Sequence, residues 1–198
     1  MFSKRFDRRV YLAVAVFMFA AALGLSFGAY ILWPSRREAG YAPRQPISFS
    51  HKTHAGTLQI ECLYCHINAE KGAHATVPSV SICMNCHKEV QPKDNLGNLK
   101  PAAATLNDYW ITNTPIAWNK VNDLADFAYF DHSRHVNSGV ECEECHGPVK
   151  TMEVMRREYG MKMSWCVDCH KQDPPAGSRA EGLGWETRAP ISCMTCHR

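Results

Sequence analysis

Net charge is what this sequence has little of. The formal net charge is +3 over 198 residues, and Lys4, Arg5, Arg8 and Arg9 against Asp7 account for all of it. Everything after Arg9 is neutral, so a nucleic-acid role has no support. Periodicity is lacking too: outside one apolar run, neither a helical nor an alternating pattern lasts long enough to define an element. Residues 88 to 126 contain no cysteine or histidine. Nor is any cysteine isolated, because all ten fall in one recurring pattern.

That pattern is C-x-x-C-H, at Cys62-Cys65-His66, Cys83-Cys86-His87, Cys142-Cys145-His146, Cys166-Cys169-His170 and Cys193-Cys196-His197. Two thiols three positions apart can each form a thioether to one porphyrin, and the next residue then places an imidazole under the iron. Four-cysteine zinc sites, redox dithiols and disulfides do not require a histidine after the second cysteine five times running. The sequence therefore predicts five covalently bound haem c groups, with His66, His87, His146, His170 and His197 as proximal ligands. Each haem brings two propionates only partly offset by the iron, so the mature domain is expected to be acidic.

Val10 to Trp33 is a run of 24 residues without a charged side chain. At 1.5 Å per residue it spans about 36 Å, enough for a hydrocarbon core of roughly 30 Å. It is longer than a typical signal-peptide core and no convincing A-x-A site follows it, so a retained transmembrane helix is expected. Four basic residues precede it and Arg36 and Arg37 follow, which keeps the amino terminus cytoplasmic and places the haem domain on the periplasmic or extracytoplasmic side of the inner membrane. Covalent haem attachment of this kind also occurs outside the cytoplasmic membrane. Tyr11 at one end and Tyr30 and Trp33 at the other suit interfacial belts. Ala20, Gly24 and Gly28 form a small-residue stripe on which another helix could pack.

Beyond the helix the chain divides into a linker at 34–46, a two-haem module at 47–87, a connector at 88–126 and a three-haem module at 127–198, with residues 1–9 as a cytoplasmic tail. The two modules open alike, with FSHKTH from Phe49 to His54 and FDHSRH from Phe130 to His135. The connector holds Tyr109, Trp110 and Trp118, which would suit either a loop wrapping the domain or a docking surface. Five porphyrins would supply much of the core. The expected fold is a multihaem cytochrome c of mostly short helices and irregular loops, with helices at the motifs and over Ala102–Tyr109 and Val149–Tyr159. Such a domain should not fold without haem.

An iron with two strong protein ligands passes electrons but has no open position for substrate. Two imidazoles three residues apart on one helical turn can reach two neighbouring irons. His51 is expected to complete the haem of His66, His54 that of His87, and His132 and His135 those of His146 and His170. For the fifth iron the candidates are His74, Met163 and Met152. A thioether would raise that haem's potential relative to two imidazoles, whereas each methionine could equally be packing against a porphyrin edge.

The membrane helix, the five motifs, the F-x-H-x-x-H leaders and the segment WNKVNDLADFAYFDHSRHVNSGVECEECHGPVKTME from Trp118 to Glu153 together resemble the pentahaem cytochrome c subunit of alternative complex III. The leaders themselves are similar to those of class III and c7 cytochromes. Asn122 and Ala125 depart from the family pattern, in which a histidine and a proline are common, and no ligand role is assigned at position 122. The resemblance implies an electron-transfer subunit, not catalytic on its own, that relays electrons from quinol oxidation in a respiratory or photosynthetic chain. The implied partners are an iron–sulfur subunit, polytopic quinol-binding subunits and a monohaem cytochrome, with a soluble cytochrome, a copper protein or an oxidase as acceptor.

Two other classes compete with this reading. A stand-alone quinol dehydrogenase of the small NapC/NrfH type shares the single helix, but commonly has a methionine close after the first motif, where this chain has Ile67 and Asn68. A multihaem reductase would keep one open iron, and nitrite reductases often carry a C-x-x-C-K motif that is absent here.

Overall fold

The computed structural model describes residues 4–32, 39–172 and 189–197. Trp33, Arg36, Arg37 and the start of the linker lie outside the described residues. Helix α1, Lys4–Leu32, is exposed along its described length apart from half-buried Gly28. Its segment Asp7–Leu32 is long and apolar enough to cross a membrane.

The remaining elements are short, as the missing periodicity requires. A π turn, Lys52–Thr57, takes in the end of the first leader. Next come α2, Cys62–Cys65, α3, Val80–His87, and α4, Pro101–Ile111. The second half holds α5, His132–Asn137, α6, Cys142–His146, a 3-10 turn at Val149–Thr151, α7, Met163–His170, and α8, Cys193–Cys196. Among the described residues there is no strand, only an isolated bridge between Lys93 and Leu99.

Every C-x-x-C is a helical turn, which brings both cysteines to one side because residues three apart are neighbours on a helix. Pro101 opens α4 at a position where its missing N–H costs nothing. Gly147 ends α6 with φ +72, and a Cβ there would lie 2.6 Å from Cβ and Cγ of Glu158. Only glycine satisfies both conditions directly after His146.

Ile47, Met84 and Leu106 form the buried cluster, with Val80, Cys83, Ala102, Tyr109, Ile116 and Trp118 packed against it. The connector thus folds back onto the second motif: α4 lies on α3, and Tyr109 and Trp118 turn inward. Trp110 stays 41% exposed, with the Lys88 ammonium 5.2 Å from its ring centre. A second tie joins linker to connector, where Gln45 Nε2 donates to the Asn119 carbonyl and the Asn119 N–H donates back to Gln45 Oε1, both at 2.9 Å.

The expected helix over Val149–Tyr159 is replaced by the single 3-10 turn and extended chain. The reason is competition for its backbone. The Arg157 N–H donates to the Tyr41 carbonyl at 2.9 Å and the Gly40 N–H donates to the Arg157 carbonyl at 2.6 Å, so the linker takes the groups a helix would need.

Candidate haem sites

Each leader is organised by its phenylalanine. Phe49 meets His51 edge-on at 4.9 Å and stacks on His54 at 4.4 Å, with interplanar angles of 87° and 25°. Phe130 repeats this with His132 at 4.8 Å and His135 at 4.4 Å, at 88° and 25°. One ring therefore fixes two imidazoles pointing in different directions. In the second leader Asp131 caps α5, its carboxylate accepting from the Ser133 N–H at 2.9 Å and from the Ser133 hydroxyl at 2.6 Å. Those bonds hold its carboxyl below the usual range.

The leader histidines face motif histidines. Ring centres are 6.1 Å apart for His54 and His87, 6.4 Å for His132 and His146, and 6.0 Å for His135 and His170. Two imidazoles on opposite sides of one metal, with metal–nitrogen bonds of ~2 Å, would have centres roughly 6.3 Å apart. His51 has His66 and His146 as electrostatic neighbours, and all three are half-buried. His197 has Phe127 as its ring neighbour at 5.8 Å.

Nine histidines belong to motifs or leaders, and seven direct Nδ1 at a backbone carbonyl. His54 uses Ser50, His66 uses Thr76, His87 uses Val90 and His132 uses Ala73, at 2.6 to 2.9 Å. His135 uses Asp131, His170 uses Pro190 and His197 uses Phe127, at 2.8 to 3.0 Å. A carbonyl only accepts, so Nδ1 carries the proton and Nε2 is left as the free lone pair that binds a metal. Thr76 reaches its carbonyl into place at φ +62, a conformation unfavourable for a β-branched residue. His146 is met instead by the Asn122 side chain at 3.0 Å, and His51 Nδ1 is buried without a partner.

Burial lowers the pKa of three of these imidazoles, His51, His135 and His146. Burial, then His66, His54 and His146, push His51 down to about 4. Burial, then His132 and His66, push His146 down to about 4. His135 is lowered chiefly by burial. Neutral imidazole is the form that ligates iron.

The cysteines show how the motifs adjoin. None is in a disulfide. Burial and then Cys62 raise the Cys142 thiol to about 11, and burial with Cys169 and Cys166 raises Cys145 to about 11. Cys65 is raised by burial, Cys62 and Cys86, and Cys166 by burial, Cys196 and Cys169. Thiols of the second and first, first and third, third and fourth, and fourth and fifth motifs are thus electrostatic neighbours.

Covalent haem fits these residues. Only Ile47, Ala69, Met84, Ala103, Leu106 and Met152 are buried apolar side chains among the described residues. Leu63, Tyr64, Met163, Ile191 and Met194, next to motif cysteines, are exposed. The Trp118 indole N–H, on a ring packed against the Ile47, Met84 and Leu106 cluster, is buried with no acceptor. Flat apolar groups carrying propionates would cover the first set and satisfy the second. No three His, Cys, Asp or Glu side chains converge on a common point among the described residues, as a zinc site would require.

Of the candidates for the fifth iron, Met152 is 1% exposed, and its carbonyl accepts from the Lys52 N–H at 2.9 Å, which places it beside the first leader. Met163 begins α7 and is 68% exposed. His74 is exposed and follows Ala73, whose carbonyl holds His132. Sequence reasoning assigned nothing to Asn122 or Phe127. Asn122 was marked only as a departure from a family histidine, and Phe127 only by its place in the segment leading into the second leader.

The family described as cytochrome c7 and related cytochrome c matches residues 128–198. The chain is 27% identical over 205 residues to the "Menaquinone reductase, multiheme cytochrome c subunit" of Nitratidesulfovibrio vulgaris (strain Hildenborough), covering 93% of this chain and 90% of that protein. Residues 128–198 thus form a cytochrome c7-like multihaem domain, a kind of domain that binds haem c covalently.

Proposed function

We propose that this chain is the membrane-anchored pentahaem subunit of a quinone-linked oxidoreductase complex, relaying single electrons between the quinone site of its partners and an extracytoplasmic redox protein. The observation that carries this reading is the set of three imidazole pairs 6.0 to 6.4 Å apart, each with both Nδ1 atoms engaged. Bound haem supplies one-electron chemistry, and two imidazoles per iron leave no position for a substrate.

In this reading Cys62, Cys65, Cys83, Cys86, Cys142, Cys145, Cys166, Cys169, Cys193 and Cys196 anchor the haems. His51 pairs with His66, His54 with His87, His132 with His146 and His135 with His170. One of His74, Met163 and Met152 completes the iron of His197. Helix α1 anchors the chain with its amino terminus in the cytoplasm. The partners are those of an alternative complex III: an iron–sulfur subunit, polytopic subunits where quinol gives up two electrons and two protons, and a monohaem cytochrome. A soluble cytochrome, a copper protein or an oxidase accepts the electrons.

A second reading keeps every residue role and reverses the current. It is favoured by the relative's name, which assigns that protein to a menaquinone reductase. Purification from membranes in mild detergent, with mass analysis of co-purifying subunits, tests the shared part. Recovery of the chain alone with intact quinol oxidation would overturn it. Assaying the complex with quinol plus an oxidised acceptor, and with a reduced donor plus menaquinone, assigns the direction.

A further inference from the structure

Asn122 Nδ2 lies 3.0 Å from His146 Nδ1, while Asn122 Oδ1 is buried and has no partner. Oxygen and nitrogen of a side-chain amide are assigned from their partners. Turning this amide over places Oδ1 on the His146 Nδ1–H and removes the buried orphan. His146 then has what seven other histidines have, a fixed acceptor on Nδ1, but supplied by a side chain rather than by the backbone.

We propose that Asn122 is the positioning residue of the third haem: its Oδ1 accepts from His146 Nδ1–H, commits Nε2 to the iron and sets how strongly that imidazole donates. This rests on His146 being a ligand, as in the function proposed above. An acceptor on Nδ1 makes the imidazole more basic and favours the ferric state, so it lowers the reduction potential. Backbone acceptors hold that contribution constant under substitution. At the third motif one side chain sets it.

The test is a potentiometric titration of the purified holoprotein, followed by visible and EPR spectra, in Asn122→Leu and Asn122→Asp. Removing the acceptor should raise one midpoint, shifting the oxidised-to-reduced ratio at fixed potential by about threefold to tenfold, or ~30–60 mV at ~59 mV per decade. The carboxylate of N122D should move the same haem in the opposite direction. Haem content and low-spin spectra should stay as in the parent. His132→Ala, on the opposite side of the same pair, marks that haem by making it high-spin.

If H132A produces the mark but N122L and N122D leave all midpoints unmoved, the Asn122 role is refuted while the ligand assignment stands. Shifts of the same sign in both variants, with loss of low-spin signal, would mean a merely structural role and also overturn the proposal. If H132A leaves every haem low-spin, the opposite-side assignment of His132 is wrong, and the Asn122 role still stands or falls on the opposite midpoint shifts of N122L and N122D.

Discussion

His132 and His146 lie with their ring planes 3° from parallel and their centres 6.4 Å apart. They come from different helices, α5 and α6, and the Nδ1 of each is engaged by a group outside its own helix, the Ala73 carbonyl and the Asn122 amide. The backbone and one side chain thus hold two imidazoles in register across a gap that an iron would fill.

Removing one imidazole from such a pair should open that iron without detaching the porphyrin, because the thioethers and the motif histidine remain. His54→Ala, H132A and His135→Ala are each expected to convert one haem to high spin and to make it bind carbon monoxide when reduced. Optical titration with carbon monoxide counts the opened sites. A variant that binds none would show that the replaced histidine is not a ligand.

Each leader phenylalanine touches two histidines, so its loss should be felt at two irons at once. Phe130→Ala should destabilise the holoprotein by ~1–3 kcal/mol and produce partial high-spin character at both the His146 and His170 haems. Phe49→Ala should do the same in the first module. A denaturant titration with EPR of the folded variant checks this; disturbance of one haem alone would contradict the shared brace.

Gly56 packs directly on the carbonyl of Lys150, where a Cβ would collide with backbone that cannot rotate away. Gly56→Ala should therefore cost ~1–3 kcal/mol by prising the first leader from the segment after the third motif. Thermal unfolding followed at the haem absorption bands should show the loss. A neutral substitution would mean that this joint is looser than the close approach implies.

Haem removal is expected to abolish the fold outside α1. Six buried apolar side chains among the described residues are too few to offset the conformational entropy of a chain of this length. The chain made without haem attachment should show no cooperative thermal transition and no near-ultraviolet ellipticity. A sharp transition would show that protein packing alone suffices.

The motifs and leaders were legible because their chemistry fixes spacing: Cys-x-x-Cys needs one helical turn, and H-x-x-H puts two rings on adjacent faces. Helix α1 was legible from composition. The extended run ending at Tyr159 was not, since what keeps it from being helical is pairing with Gly40 and Tyr41 more than a hundred residues earlier. Asn122 stood out as a departure from a family histidine, but its role was hidden, because a side-chain amide acquires meaning only from what it touches. The inward turn of Tyr109 and Trp118 depended on where α4 docks, which no local pattern encodes.

The joint between the Lys52 N–H and the Met152 carbonyl spans one hundred residues. In a chain that emerges amino end first, the first leader cannot settle until the third motif has followed it out. Contacts of such high sequence separation are slow to form. The thiols of the first motif therefore have to remain reduced and reachable while most of the domain is still unstructured.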